Sequence, residues 1–242
     1  RHPDDAHALR EAILGRQHAV VIGGGYIGLE VAASLTKLGL RVDVIEMADR
    51  LLARVASPQI SAFFAELHQS HEVGLHIGAN CQEILQKDGA FTGVQLDDGR
   101  QITAELLLVG IGVLPDLDLA ESAGIMAGNG ILVDAMMQSS VQDIFAIGDV
   151  ALIDGAALRI ESVDNAQMTA ARAAAAICGL AQPAMAAPWF WSEQFDVRLQ
   201  SAGILPLATP DLRYQLRPGR CEGGFSVWSY CDNGQLVAVE AV

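Results

Sequence analysis

Several things are scarce or missing in this chain of 242 residues. Its four cysteines, Cys81, Cys178, Cys221 and Cys231, form no C-x-x-C pair, which argues against a zinc knuckle and against a dithiol relay. They are expected to be buried free thiols in a reducing cytoplasm. Positive charge is short: 15 Lys and Arg stand against 29 Asp and Glu, a formal net charge of −14. A chain of that sign is repelled by nucleic acid and by anionic membranes, so neither is an expected partner. Unbroken apolar runs are missing as well. The most apolar stretch, 170–191, is interrupted by Arg172, Gln182, Pro183 and Pro188, whereas a spanning helix needs about 20 such residues. No membrane span is expected, and no basic-then-apolar leader opens the sequence. Internal repeats and low-complexity tails are also missing.

What is present describes a folded α/β chain. Hydrophobic residues make up 51% and charged residues 18%, which excludes disorder, and the length allows one large domain or two small ones. Residues 19–22 form a short apolar run ending at glycines, the pattern of a buried parallel strand. A helix is predicted over 26–38, with Ile27, Val31, Leu35 and Leu38 on one face and Gly39 as its stop. A second strand covers 42–45, completing a βαβ unit. Another helix spans 58–71, with Ser57 as N-cap and Pro58 at its first position. Residues 81–86, 91–96 and 101–103 read as an antiparallel meander, and 106–110 as a buried strand. A boundary is expected at Pro115-Asp116. A buried strand is predicted over 144–149 and an Ala-rich helix over 163–178. Residues 181–188 form a proline-punctuated linker. Strands follow near 195–200, 212–217 and 224–230, with a hairpin at Asn233-Gly234.

The strongest chemical signal is Gly23-Gly24-Gly25-Tyr26-Ile27-Gly28, a G-x-G-x-x-G that directly follows a strand and opens a helix. Gly23 permits the tight turn, Gly25 lets a pyrophosphate approach the backbone, and Gly28 lets helix and strand pack closely. The positive end of the helix dipole faces the phosphates. Glu46 ends the second strand 18 residues after Gly28, where a carboxylate can hold a ribose 2′-hydroxyl and repel a 2′-phosphate. NADH is therefore expected over NADPH. Glu30 lies just past the loop and reads either as a favourable charge near the helix N-terminus or as a contact for a nicotinamide. Asp149 closes the apolar run at 144–150, where it could bind a polyol chain or cap a turn.

With these residues in place, the whole chain resembles the FAD-dependent pyridine nucleotide oxidoreductases. Within them it is most similar to ferredoxin reductases of the putidaredoxin reductase type. The resemblance is carried by Arg1 with Asp5-Ala6 and Leu9-Arg10, by VVIGGGYIGLEVAASL at 20–35, by GIGVLPD at 110–116 and by IFAIGDV at 144–150. RIESVDNAQ at 159–167 and PWFWSEQFDVRLQSAG at 188–203 point to the ferredoxin-reductase branch. The resemblance implies an α/β fold with a Rossmann-type NAD(P)-binding domain at 1–115, part of a FAD-binding domain at 116–185 and a C-terminal α+β reductase domain at 186–242. It implies that Gly23, Gly25 and Gly28 hold the NADH pyrophosphate and Glu46 the adenosine ribose, with Gly112 among the cofactor contacts. Arg1, Asp149 and Val163 would touch FAD. Glu30, Glu161 and Trp191 would line the flavin–nicotinamide site, with no catalytic side chain beyond the flavin itself. The helix from Val163 would point its N-terminus at the flavin, where reduced flavin carries negative charge.

The implied activity is NADH-dependent reduction, through FAD, of a ferredoxin-like [2Fe-2S] protein or a rubredoxin in the cytoplasm. A rubredoxin or nitrite-reductase type of electron transfer, or a non-catalytic NADH-binding chain, is the alternative. The family carries another G-x-G-x-x-G loop for the ADP half of FAD, and no second copy occurs in these 242 residues. The sequence is therefore expected to be an internal segment of a longer protein that holds FAD weakly by itself, with apolar strand edges exposed at 131–133 and 237–239. His68, His71 and His76 have no partners at ligand spacing and are read as solvated side chains, with no metal expected. Arg213, Arg217 and Arg220 read as a solvated strand face or as a docking patch for an acidic carrier.

Overall fold

The computed structural model describes residues 2–156, 158–205, 212–220 and 223–242. Helix α1 (Pro3–Ala12) starts the chain, capped by His2. Then come β1 (His18–Ile22), α2 (Tyr26–Lys37), β2 (Arg41–Glu46), α3 (Pro58–Ser70) and β3 (Gly74–Ile77). A meander of β4 (Cys81–Lys87), β5 (Ala90–Leu96) and β6 (Gln101–Thr103) precedes β7 (Leu106–Val109). Next are α4 (Asp118–Ser122), β8 (Ala127–Gly128), β9 (Gly130–Val133), β10 (Ala151–Ile153) and α5 (Val163–Ile177). The chain closes with β11 (Trp189–Gln194), β12 (Val197–Gly203), β13 (Arg213–Pro218), β14 (Phe225–Tyr230) and β15 (Leu236–Ala241).

These elements divide into two compact units. One comprises Arg1–Gly112, Ser192–Leu199 and Leu205–Val242; the other comprises Val113–Trp191 and Gln200–Ile204. The first unit is therefore discontinuous in sequence. Its centre is a parallel sheet in the order β3-β2-β1-β7. Parallel strands are covered on both faces, which is why β1 is apolar at successive positions rather than alternating. Ala19 and Val21 face a core with Leu29, Ala32 and Ala33 of α2 and Ile60 and Phe64 of α3. Val20 faces the other way, toward Val94 and Leu96 of the antiparallel meander.

The α2 face matches the predicted one at Leu35, which is buried, and Val31, which packs on the core, but not at its other two positions. Ile27 is 64% exposed and Leu38 62% exposed, while the buried positions are Gly28, Leu29, Ala32, Ala33 and Leu35. Small residues win the buried stripe because they let the helix axis come close to the sheet. The edge expectations also change. β15 lies between β12 and β14 in the order β11-β12-β15-β14-β13, and β9 lies between β10 and β8, so 237–239 and 131–133 are interior strands. The strand predicted at 144–149 does not form. Phe145 makes a single bridge to Gln138, and a short 3-10 turn occupies Gly148–Val150. Without a full partner strand, an apolar run has nothing to complete a ladder.

The cysteines Cys81, Cys178 and Cys231 are free, but none is fully buried and Cys178 is exposed; Cys221 lies outside the described residues. His68 is not solvated: it is fully buried on α3. His76 is mostly covered, and its Nε2 donates to Asp43 Oδ1 at 2.7 Å. Among the described residues, no helix is long and apolar enough to cross a membrane.

Two buried carboxylates stand inside the first unit, and each is matched. Glu240 of β15 accepts the Ser57 N–H on both oxygens at 3.1 Å, and burial pushes its carboxyl up. Asp43, in the middle of β2, is held between His18 Nε2 at 2.6 Å and His76 Nε2 at 2.7 Å, on the flanking strands. Gly74 stands opposite Asp43 in register, and a Cβ there would collide with the carboxylate, so the glycine makes room for it. Burial opposes the charge on Asp43, but the hydrogen bonds and charge of His76 and His18 outweigh it and lower the carboxyl below 3.8. A carboxyl depressed in the folded state adds stability above its unfolded value and loses it as pH falls through the folded one. Asp43→Ala is expected to cost at least about 1.5–3 kcal/mol at neutral pH, the worth of one hydrogen bond to a charged group. Urea unfolding should show that deficit shrinking only below pH 3.8.

Candidate nucleotide-binding site

The glycine loop joins β1 to α2 and its three fingerprint glycines do different physical work. Gly23 sits at φ +109°, and a Cβ on it would strike the Gly110 carbonyl. A Cβ on Gly28 would strike the Gly23 carbonyl. Both are therefore required by close backbone approach. Gly25 is different: it has φ −80°, and nothing lies within 4 Å of where its Cβ would be. The fold leaves that space open. Gly25 is also the N-cap of α2, with no side-chain cap and no acidic residue in the first turn. The first N–H groups of α2 thus point past an open glycine with their positive partial charge uncompensated by side chains.

Glu46, at the carboxyl end of β2, faces this loop. Its Oε2 accepts the Gly24 N–H at 2.6 Å and its Oε1 accepts the Ala48 N–H at 2.8 Å. The carboxylate shapes the loop as well as facing it, and each oxygen keeps a lone pair for a further donor. Gly112 follows β7, exposed, at φ +112°. The loop geometry, the uncapped helix and the carboxylate all fit the diphosphate and ribose of a dinucleotide.

Glu30 lies in the second turn of α2, half-buried, and it is not alone. Its Oε1 accepts the Ser192 hydroxyl at 2.6 Å. Ser192 is 1% exposed, and its Oγ accepts Gln194 Nε2 at 3.2 Å. Gln194 Oε1 in turn meets His68 Nε2 at 2.9 Å. These contacts form because the β11–β12 turn is seated on the helices: Lys37 Nζ donates to the Phe195 carbonyl at 2.7 Å, and the His71 ring stacks on Phe195 at 3.7 Å. Sequence reasoning singled out Trp191 from WSEQ and passed over Ser192 and Gln194. The available signal was the Ser-x-Gln spacing at the end of the strand, which places both side chains on one face.

The second unit holds Asp149, Glu161, Val163 and Trp191. Asp149 is exposed on its 3-10 turn, and its carboxylate makes no hydrogen bond or ion pair among the described residues. The Arg159 guanidinium donates to the Asp149 carbonyl and pairs with Glu161 at 2.7 Å. Gly148, at φ +66°, donates its N–H to Thr169 Oγ1 of α5 at 2.9 Å. Val163, 55% exposed, opens α5 beside the cap Ser162, whose Oγ accepts the Asn165 N–H at 3.1 Å. Trp191 stacks on Trp189 with ring centres 5.1 Å apart. Arg1 lies outside the described residues. Of the arginines weighed for docking, Arg213, Arg217 and Arg220 are exposed, and Arg217 lies 3.8 Å above the Trp228 ring.

Comparison with known proteins adds the following. Residues 1–170 match the sequence model of the pyridine nucleotide-disulphide oxidoreductase family, and residues 189–242 match that of the reductase C-terminal family. The chain is 41% identical over 244 residues to a ferredoxin–NAD(P)(+) reductase of Sphingomonas sp, covering 98% of this chain and 58% of that protein. It is 37% identical over 245 residues to the putidaredoxin reductase of Pseudomonas putida, covering 99% and 57% respectively. The crystal structure of a ferredoxin reductase for the CYP199A2 system from Rhodopseudomonas palustris superposes with TM-score 0.92 at 39% identity, over all of this chain and 60% of that one. The chain thus spans about three fifths of the length of these three proteins.

The glycine geometry separates two kinds of substitution. Gly28→Ala forces the Gly23 carbonyl to move and should lower the thermal midpoint by several degrees, an effect of about 1–3 kcal/mol. Gly25→Ala meets nothing and should change stability by less than about 1 kcal/mol. Parallel thermal melts of the two variants read the contrast directly.

Proposed function

We propose that this chain, which belongs to the pyridine nucleotide-disulphide oxidoreductase family, serves an NADH-dependent flavoprotein reductase that passes electrons through FAD to a ferredoxin-like iron–sulfur carrier. The observation that carries the reading is the open space at Gly25 on the uncapped start of α2, facing Glu46. In this reading Gly23 and Gly28 bring the backbone close, and the α2 N–H groups take the NADH diphosphate across Gly25. Glu46 accepts a hydrogen bond from the adenosine ribose while it keeps the Gly24 N–H, and Gly112 borders the same nucleotide. Glu30 offers its second carboxylate oxygen to the nicotinamide amide.

For FAD the assigned residues are Asp149, Val163, Glu161 and Trp191, together with Arg1. The exposed Asp149 carboxylate, without a partner among the described residues, suits a hydroxylated chain. The N-terminus of α5 at Val163 suits a ring edge that gains negative charge. When bound, the flavin supplies conversion of a two-electron donor into single-electron steps. Trp191, stacked on Trp189, offers an aromatic wall that excludes water. The names of the relatives and the match of 189–242 to the reductase C-terminal family support an iron–sulfur carrier as acceptor, as does the lack of C-x-x-C. A [2Fe-2S] ferredoxin is the proposed partner, with a rubredoxin the nearest substitute, and the cytoplasm the proposed compartment.

Three measurements follow from this reading. NADH should bind at least about tenfold tighter than NADPH, as one hydrogen bond to a charged group is worth about 1.5–3 kcal/mol, and Glu46→Gln should narrow the ratio. Nucleotide fluorescence titration reads it, and equal binding by the unaltered chain would overturn the assignment of Glu46. Gly25→Val should fold, by circular dichroism, and fail to bind NADH; retained affinity would place the nucleotide elsewhere. With one dinucleotide loop assigned to NADH, the 242 residues should retain little flavin absorbance after gel filtration from excess FAD.

A further inference from the structure

We propose that His68, Gln194 and Ser192 are positioning residues for the nicotinamide: a buried hydrogen-bond chain that sets the orientation of Glu30. The inference rests on the reading of Glu30 as a nicotinamide contact. It concerns residues that this reading does not otherwise use.

The chain has only one consistent set of hydrogen positions. An ionised carboxylate accepts and cannot donate, so the Ser192 hydroxyl must give its proton to Glu30 Oε1. The Ser192 oxygen is then free to accept from Gln194 Nε2, which fixes the orientation of the amide. Gln194 Oε1 can only accept, so His68 must carry its hydrogen on Nε2. The remaining ring nitrogen, Nδ1, is buried with no hydrogen-bond partner among the described residues. As a bare lone pair it is tolerable there; as an N–H it would be an orphaned buried donor. Burial pushes His68 toward its neutral form, in keeping with that tautomer.

Every donor in the series therefore points toward Glu30. His68 is 0% exposed, Gln194 0% and Ser192 1%, so water does not compete for these bonds. Their backbones are also held. His68 is on α3, Glu30 is on α2, and Ser192 and Gln194 alternate on β11, whose turn Lys37 and His71 grip at Phe195. Glu30 Oε1 is thus committed to the protein. Oε2 makes no hydrogen bond among the described residues and is the oxygen presented to a ligand. A carboxylate fixed at one oxygen pays less entropy when it orders a ligand at the other.

The test separates the two halves of the nucleotide. NADH and ADP-ribose, which lacks the nicotinamide, are titrated against the unaltered chain, Ser192→Ala, Gln194→Met, Glu30→Ala and the double variant Glu30→Ala/Ser192→Ala. Ser192→Ala and Gln194→Met, two independent cuts in the chain, should each weaken NADH about three- to tenfold, as for one lost hydrogen bond, and leave ADP-ribose within about twofold. The double variant should be no weaker for NADH than Glu30→Ala, since the serine acts through the glutamate. If Glu30→Ala alters the NADH to ADP-ribose ratio and neither cut does, the positioning chain is wrong. Equal loss of both ligands in the cut variants, or additive losses in the double variant, would show a merely structural role and also overturn it. If Glu30→Ala itself leaves the ratio unchanged, the failure lies in the reading of Glu30 at the nicotinamide, and the proposal falls with it.

Discussion

The close approach of α2 to the sheet edge is the constraint on which the first unit depends. Gly28 rests against the Gly23 carbonyl, and Gly23 against that of Gly110, with no room for a Cβ at either glycine. That contact brings the start of α2 to the carboxyl ends of β1 and β2, where parallel sheets bind ligands. The helix then arrives with its first N–H groups uncapped, beside an open Gly25 and a carboxylate at Glu46. Packing and ligand recognition are thus separated within one six-residue loop. Of its three fingerprint glycines, Gly23 and Gly28 are needed by the fold and Gly25 is left free by it.

The second organising feature is the return of the C-terminal segment into the first unit. Phe195, Leu199 and Val227 share a core with α2, α3 and β2. Glu240 reaches the N-cap region of α3 through the Ser57 N–H. Burying these polar groups is costly unless each is matched, and here the matches run between distant parts of the chain. The same docking places Ser192 against Glu30, 162 residues away in sequence. A segment that is a separate family match in sequence therefore contributes to the surroundings of a residue on α2.

Legibility differed by element and had physical causes. β1, α2, β2, α3, the meander and α5 were readable because apolar period, caps and turn glycines agree locally. The Ser57 cap and the Gly234 turn at φ +83° are such cases. β3 was not singled out. Its four residues, Gly-Leu-His-Ile, are too few to establish a period, and its membership of the sheet depends on pairing with β2. The run at 144–149 misled in the opposite direction, since strong β propensity met only one bridging partner. On α2, Leu35 and Val31 were placed correctly, while Ile27 and Leu38 were preferred over the alanines that close packing selects.

For the candidate site, the sequence by itself determined the loop, its helix and the carboxylate at Glu46, because all three follow from glycine spacing and short-range periodicity. It also determined the family resemblance, since the motifs occur in order along the whole chain. Only the tertiary structure decided that Gly25 is open while Gly23 and Gly28 are not, for that depends on where the Gly110 carbonyl falls. It likewise decided that His68 is buried and bonded rather than solvated, and that Ser192 and Gln194 join it to Glu30. Those partners are brought together by long-range packing of a β-turn between two helices, and no local pattern in a sequence encodes a contact made across 126 residues.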